Sequence, residues 1–216
     1  MINVLFSRPK HDDAMEYLHY YSKELLKECE RMPELNPINK EKEDSNRKVI
    51  SEVIKKTNPR LIMFNGHGSP TEILGHSNET LIDESNAGLL KDSITYALAC
   101  SAGAILGKTI AEKGALSFIG YKFDFAIGKD PDSEAVPGKD KIAKFFLEPS
   151  NILFSSLIKG QSAETAVLKA KKKMEEYIGF LSTTNNFPEA HHYAPYLFRN
   201  YLGLIILGNS GANIEI

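Results

Sequence analysis

The sequence predicts an α/β protein whose mostly parallel sheet is covered on both faces. Three observations carry this expectation. Short apolar runs recur at residues 2–6, 60–64, 93–99, 115–119 and 202–207, a length that suits strands buried on both faces. Between several of them lie segments with apolar residues three or four apart, the spacing of amphipathic helices. The chain has 216 residues, which is room for a single large domain spanning 1–216 but not for two ordinary ones. Strands that alternate with helices build parallel βαβ units.

Residues 2–6 form the first strand. After Pro9 a helix places Met15, Leu18, Leu25 and Cys29 on one face, with Asp12 or Asp13 suited to its start. Pro33 and Pro37 bracket a break, and the charged residues 38–48 read as a solvated loop or helix start. Val49, Val53 and Ile54 suggest a short helix ending before Asn58-Pro59. The strand at 60–64 stops at Asn65-Gly66-His67-Gly68, and the polar residues 69–88 read as loop. The strand at 93–99 runs into Cys100-Ser101-Ala102-Gly103, followed by a small-residue helix at about 104–113 and a strand at 115–119. Residues 128–141, with two prolines, two glycines and seven charges, are the most linker-like stretch and are expected to be mobile. Two helices follow. The second has Ser162 as N-cap and steps through Ala163, Val167, Ala170, Met174, Tyr177 and Leu181. Residues 202–207 close the domain.

The composition excludes several classes of function. Apolar residues make up 42% and charged residues 25%, so a real core is available and wholesale disorder is excluded. The net charge of -2 calls for neither nucleic acid nor an anionic membrane. Lys169, Lys171, Lys172 and Lys173 read as a solvated helix face. No apolar stretch approaches the roughly 20 residues of a membrane span, and residues 1–6 read as a strand, not a leader. A cytoplasmic location is therefore expected. Two cysteines, Cys29 and Cys100, make no disulfide framework. They and six histidines form no CxxC or HExxH pattern, so no metal site is expected.

In a parallel sheet, ligands bind beyond the carboxyl ends of the strands. Two apolar runs here end in reactive residues, one in Asn-Gly-His67-Gly and the other in Ala-Cys100-Ser-Ala-Gly. Neighbouring parallel strands lie about 4.8 Å apart, so the two side chains can approach. An imidazole would activate the thiol, and a helix starting just after Cys100 would favour the thiolate. The N–H groups of Gly68 and Cys100 are natural donors to an oxyanion. Ser101, Ala102 and Gly103 leave room for a peptide carbonyl. Cys29 sits on an apolar helix face and reads as core. His76, in a loop, is a second candidate for the base, and His191-His192 reads as a surface turn.

This pattern resembles the caspase-like cysteine peptidases, in particular their CHAT branch. The resemblance rests on the His67-Gly68 and Cys100-Ser101-Ala102-Gly103 pair. Glu112-Lys113-Gly114-Ala115, Gly160-Gln161-Ser162-Ala163-Glu164-Thr165-Ala166, His192-Tyr193-Ala194-Pro195-Tyr196 and Leu204-Ile205-Ile206-Leu207-Gly208 support it, over about residues 60–209. It implies a caspase–haemoglobinase-like three-layer α/β/α sandwich with about six strands. It also implies peptide-bond hydrolysis by a Cys–His dyad, with Cys100 as nucleophile, His67 as base and acid, Gly68 and Cys100 as oxyanion hole, and no metal or organic cofactor. Its partners would be a protein or peptide substrate and a separate regulatory protein subunit, in a bacterial defence or regulated-proteolysis setting. The chain departs from the family in having Leu98 where metacaspases carry an acidic residue, and in having no tryptophan. Asp124, with Ser101, is the candidate substrate contact, favouring a basic side chain; alternatively Asp124 is a solvated strand-end residue.

Other classes are weighed on residues. A catalytically silent CHAT-like interaction module would not need the His67–Cys100 pair. A doubly wound amidotransferase needs G-x-C-x-G, whereas Leu98 and Ala102 flank Cys100. A G-x-S-x-G hydrolase elbow is missing.

Overall fold

The computed structural model describes residues 1–130, 136–184 and 190–215. In chain order β1 (Ile2–Arg8) leads to α1 (Asp13–Glu30), β2 (Leu35–Glu41), α2 (Arg47–Thr57) and β3 (Leu61–Asn65). Three short strands follow, β4 (Gly68–Ser69), β5 (Glu72–Leu74) and β6 (Thr80–Ile82). Then come β7 (Ile94–Leu98), α3 (Leu106–Glu112), β8 (Ser117–Tyr121), α4 (Lys141–Ile158), α5 (Ala163–Thr183), α6 (Ala190–Gly203) and β9 (Leu204–Gly208).

The central sheet has six strands in the order β2-β1-β3-β7-β8-β9. All neighbours are parallel except β9, which runs antiparallel to β8. Period-two alternation divides the strand side chains between two cores. Val4, Phe6, Leu61, Met63, Tyr96 and Ile119 face one cluster, shared with α1, α4, α5 and α6. Leu5, Ile62, Phe64, Ala97 and Phe118 face the other, shared with α2, α3 and the small antiparallel sheet β4-β5-β6. Both faces are thus covered, which is why the central strands read as unbroken apolar runs.

The structure departs from the sequence expectations in four places. Residues 35–41, within the stretch read as a break and charged loop, form β2. As an edge strand β2 pairs only with β1, and an edge is where a strand tolerates a proline such as Pro37. Its charges find a buried partner: Arg8 is 2% exposed and its Nη1 donates to Glu41 Oε2 at 3.1 Å and Asn39 Oδ1 at 3.3 Å. Residues 69–88 include β5 and β6, whose Ile73, Leu81 and Ile82 are fully buried. His191 and His192 stand in the first turn of α6, not in a surface turn. Finally, the 128–141 stretch is pinned at its C-terminal end. Asp140 is 3% exposed, accepts from Tyr17 Oη at 2.7 Å and caps α4 through Ala143 N. Residues 131–135, on which the expected mobility chiefly falls, lie outside the described residues.

No helix among the described residues is long and apolar enough to cross a membrane.

Candidate active site

The strands β1, β3, β7 and β8 are neighbours and run the same way, so their carboxyl ends share one edge of the sheet. The loops leaving that edge carry His11 and Asp12, His67, Cys100 with Ser101, and Asp124 in turn. The β3–β7 register pairs Asn65 with Leu98. His67 and Cys100 each lie two residues beyond that pair, so the two loops leave the sheet side by side. Gly66 N extends the ladder by donating to Leu98 O at 3.3 Å. Gly68 then passes directly over the Cys100 backbone. A Cβ there would fall 2.7 Å from Cys100 O, 3.0 Å from Ala99 Cβ and 3.2 Å from Cys100 N, so this close approach requires glycine.

His67 is held by a carboxylate. Its Nε2 lies 2.7 Å from Asp12 Oδ2. The other oxygen of Asp12 is the N-cap of α1, accepting from Met15 N at 2.9 Å. Burial acts to raise the Asp12 pKa, but the hydrogen bonds from Met15 and His67, and the adjacent His67 and His11 rings, outweigh it and hold it below the ordinary value. An ionised carboxylate only accepts, so the proton on this contact belongs to His67 Nε2.

Cys100 is partly buried, and its Sγ donates to Phe125 O at 3.8 Å. Burial pushes the thiol up from its ordinary value; the Asp124 charge adds to this, and Arg199 acts against it without cancelling it. The thiol therefore rests protonated near neutral pH. This corrects the expectation of a thiolate stabilised by a helix start. α3 begins at Leu106, a run of turns separates it from Cys100, and it is only seven residues long. A helix-end effect fades within one turn. Among the described residues no hydrogen bond joins Cys100 Sγ to His67.

Ser101 adopts a left-handed φ of 54°, a conformation found mostly at turns and functional sites. Its N–H donates to Phe123 O at 3.1 Å and its Oγ to Asp124 Oδ1 at 2.6 Å. Asp124 is 65% exposed, with Arg199 Nη2 at 3.8 Å from its Oδ2. The two candidate substrate contacts thus lie together beside the thiol, bonded to each other. For the candidate oxyanion donors, Cys100 N–H has no backbone partner among the described residues. His67 O accepts from Leu74 N at 3.0 Å, so by alternation the next residue, Gly68, directs its N–H away from β5.

The remaining histidines sort by position. His76 packs against His11, with ring centroids 5.2 Å apart, and its Nδ1 accepts from Lys10 N at 3.5 Å. His191 and His192 are exposed and meet edge to face, with ring centroids 4.1 Å apart. Cys29 is fully buried, its thiol pushed up to about 12 by that burial and by Glu30 and Glu28.

Two residues of this edge carry more than the sequence suggested. Asp12 was legible only as a helix cap, and His11 not at all. His11, Asp12 and His67 offer donor atoms that all lie within 4.8 Å of one another. The motif patterns for metal sites are local, whereas this group joins two loops from separate strands. The signal available was a His-Asp pair just beyond the end of β1, which gains meaning only once β1 is known to lie beside β3. A scan against protein-family models matches none, and a search of curated proteins finds no match.

Proposed function

We propose that the chain is a cysteine endopeptidase with the architecture of the caspase–haemoglobinase group. The observation that carries this reading is the succession of Asp12, His67 and Cys100 along one sheet edge, on loops leaving three adjacent parallel strands. His67 Nδ1 takes the Sγ proton, and the resulting thiolate attacks the scissile carbonyl carbon. Asp12 orients the ring and stabilises the imidazolium that forms. The N–H groups of Gly68 and Cys100 receive the developing oxyanion. When the C–N bond breaks, His67 returns its proton to the leaving amine. Water, deprotonated by His67, then cleaves the thioester, freeing the acid and restoring the thiol. The reaction needs no cofactor. Asp124 is the contact proposed for a basic substrate side chain, in competition with Arg199.

A thiol that rests protonated and unbonded to His67 also suits a second reading, a catalytically silent interaction module. A peptidyl ketone that alkylates active thiols separates the two. Labelling of Cys100 that requires His67 supports the peptidase, and labelling no faster than that of a free peptide thiol supports the silent module. The same resting thiol favours activation by a separate protein subunit, for which turnover rising with added partner or with chain concentration is the readout.

A further inference from the structure

We propose that His11, Asp12 and His67 form a zinc site whose occupation switches the peptidase off. Binding of the ion stands on the donor geometry alone; the switching rests on the peptidase reading above.

The three donor atoms lie within 4.8 Å of one another, close to the spacing of a coordination sphere. Zinc binds imidazole nitrogen and carboxylate oxygen at about 2.0–2.2 Å, which sets tetrahedral ligand atoms ~3.4 Å apart. Asp12 Oδ2 lies 3.4 Å from His11 Nε2 and 2.7 Å from His67 Nε2. Widening the shorter contact needs only a small rotation of His67, whose side chain is 36% exposed. Two imidazoles and one carboxylate suit zinc, and three protein ligands leave a fourth vertex for water. Asp12 and His67 both reach solvent, so the ion has an entry path.

The surroundings of His11 bear on how firmly its Nε2 is held. His11 has only 11% of its side chain exposed, and its Nδ1 is buried with no hydrogen-bond partner. Its Nε2 sits between Asn78 Oδ1 at 3.3 Å and Asp12 Oδ2 at 3.4 Å, both longer than the ordinary N–H···O distance of about 2.9–3.0 Å. The ring is thus buried at some cost, and its Nε2 is held by one long hydrogen bond to Asn78. A single oxygen, Asp12 Oδ2, faces two ring nitrogens, because the other is taken by Met15 N. An ion between the three would accept a lone pair from each and resolve that competition.

Silencing follows from the two nitrogens of one ring. In the proposed reaction Nε2–H faces Asp12, and Nδ1 is the nitrogen that takes the Cys100 proton. Zinc on Nε2 displaces the Nε2 proton and fixes the neutral ring as the Nδ1–H tautomer. The ring then has no lone pair left for the Cys100 proton, and Asp12 is taken from it as well.

The experiment titrates the chain with zinc alone against a competing chelator of known affinity, using wild type, Cys100→Ala, His11→Ala and His11→Gln, each checked for folding by circular dichroism. The expected result is one zinc per chain in wild type and Cys100→Ala, with affinity at least about tenfold weaker in both His11 variants. Zinc should also raise the thermal midpoint of wild type and Cys100→Ala, and not of the His11 variants. Binding that disappears in Cys100→Ala would mean a thiolate site, and binding unchanged in both His11 variants would remove His11; either overturns the proposed site. In the activity arm, saturating zinc should suppress peptide turnover by wild type and a chelator should restore it. Turnover unaffected or raised by bound zinc would overturn the switch. A chain that binds zinc through His11 but cleaves no peptide would refute the peptidase reading and leave the binding site standing.

Discussion

Cys100 and Cys29 differ in exposure, and that difference is measurable. Both thiols are raised by burial, but Cys29 is sealed in the core while Cys100 stands at the sheet edge. A raised pKa means less thiolate at any given pH. Alkylation of Cys100 by iodoacetamide should therefore be slow at pH 7 and climb into the alkaline range beyond an ordinary thiol's midpoint, with Cys29 unreactive while the chain is folded. A fast reaction at pH 6, read by peptide mass mapping, would show a preformed thiolate and contradict this. Asp12 gives a second prediction. Asparagine caps a helix about as well as aspartate, so Asp12→Asn should keep the α1 cap and lose at neutral pH only what the ionised carboxylate contributes. It should lower kcat by about 100-fold or more with little change in KM, because His67 loses its orienting charge. Since the folded Asp12 pKa is lowered, its contribution to stability is present above the unfolded value and is lost as pH falls through the folded one. Asp12→Asn should thus flatten the acid limb of a pH–stability curve. His67 and Cys100 were visible in the sequence because each closes an apolar run and is followed by small residues. Asp12 was not, because a sequence does not state which strands are neighbours.

The elements that the sequence hid were hidden for physical reasons. β2 carries a proline and charges because it is an edge strand, and its Asn39 and Glu41 accept from the buried Arg8 of the neighbouring strand. β5 and β6 are three residues each, too short for a periodic pattern, yet they bury Ile73, Leu81 and Ile82. α6 contains Pro195 and opens with paired histidines, which read as a turn. By contrast the apolar faces of α1 and α5 were clear: Met15, Leu18, Leu25, Cys29, Ala163, Val167, Ala170, Met174 and Leu181 are buried, and Tyr177 is half-buried. The tight passage of β4 over the β7 loop gives a prediction at this scale. Gly68→Ala would place a methyl 2.7 Å from Cys100 O and push the two loops apart. Overpacking of this kind costs about 1–3 kcal/mol, to be read from urea unfolding. Activity should fall further than stability, since both proposed oxyanion donors shift. A variant with wild-type stability and turnover would mean that the contact is not needed.

At the scale of the whole molecule, the parallel sheet is what makes a site possible. Parallel strands send their carboxyl ends to one edge, and the order β1-β3-β7-β8 brings together residues from 11 to 124. The fold class and the parallel sheet could be read from alternating apolar runs, and the candidate edge for chemistry followed from them. The strand order, and with it the grouping of His11, Asp12 and His67, could not. The central claim is that Cys100 and His67 act as one catalytic unit. The most direct measurement is turnover of a panel of peptides with basic residues before the scissile bond, by wild type, Cys100→Ala, His67→Ala, the double variant and His76→Ala, at equal fold content. Cys100→Ala and His67→Ala should each lose at least about a thousandfold, the double variant little more, and His76→Ala less than about tenfold. Near wild-type turnover in Cys100→Ala, or a larger loss at His76 than at His67, would contradict the central claim.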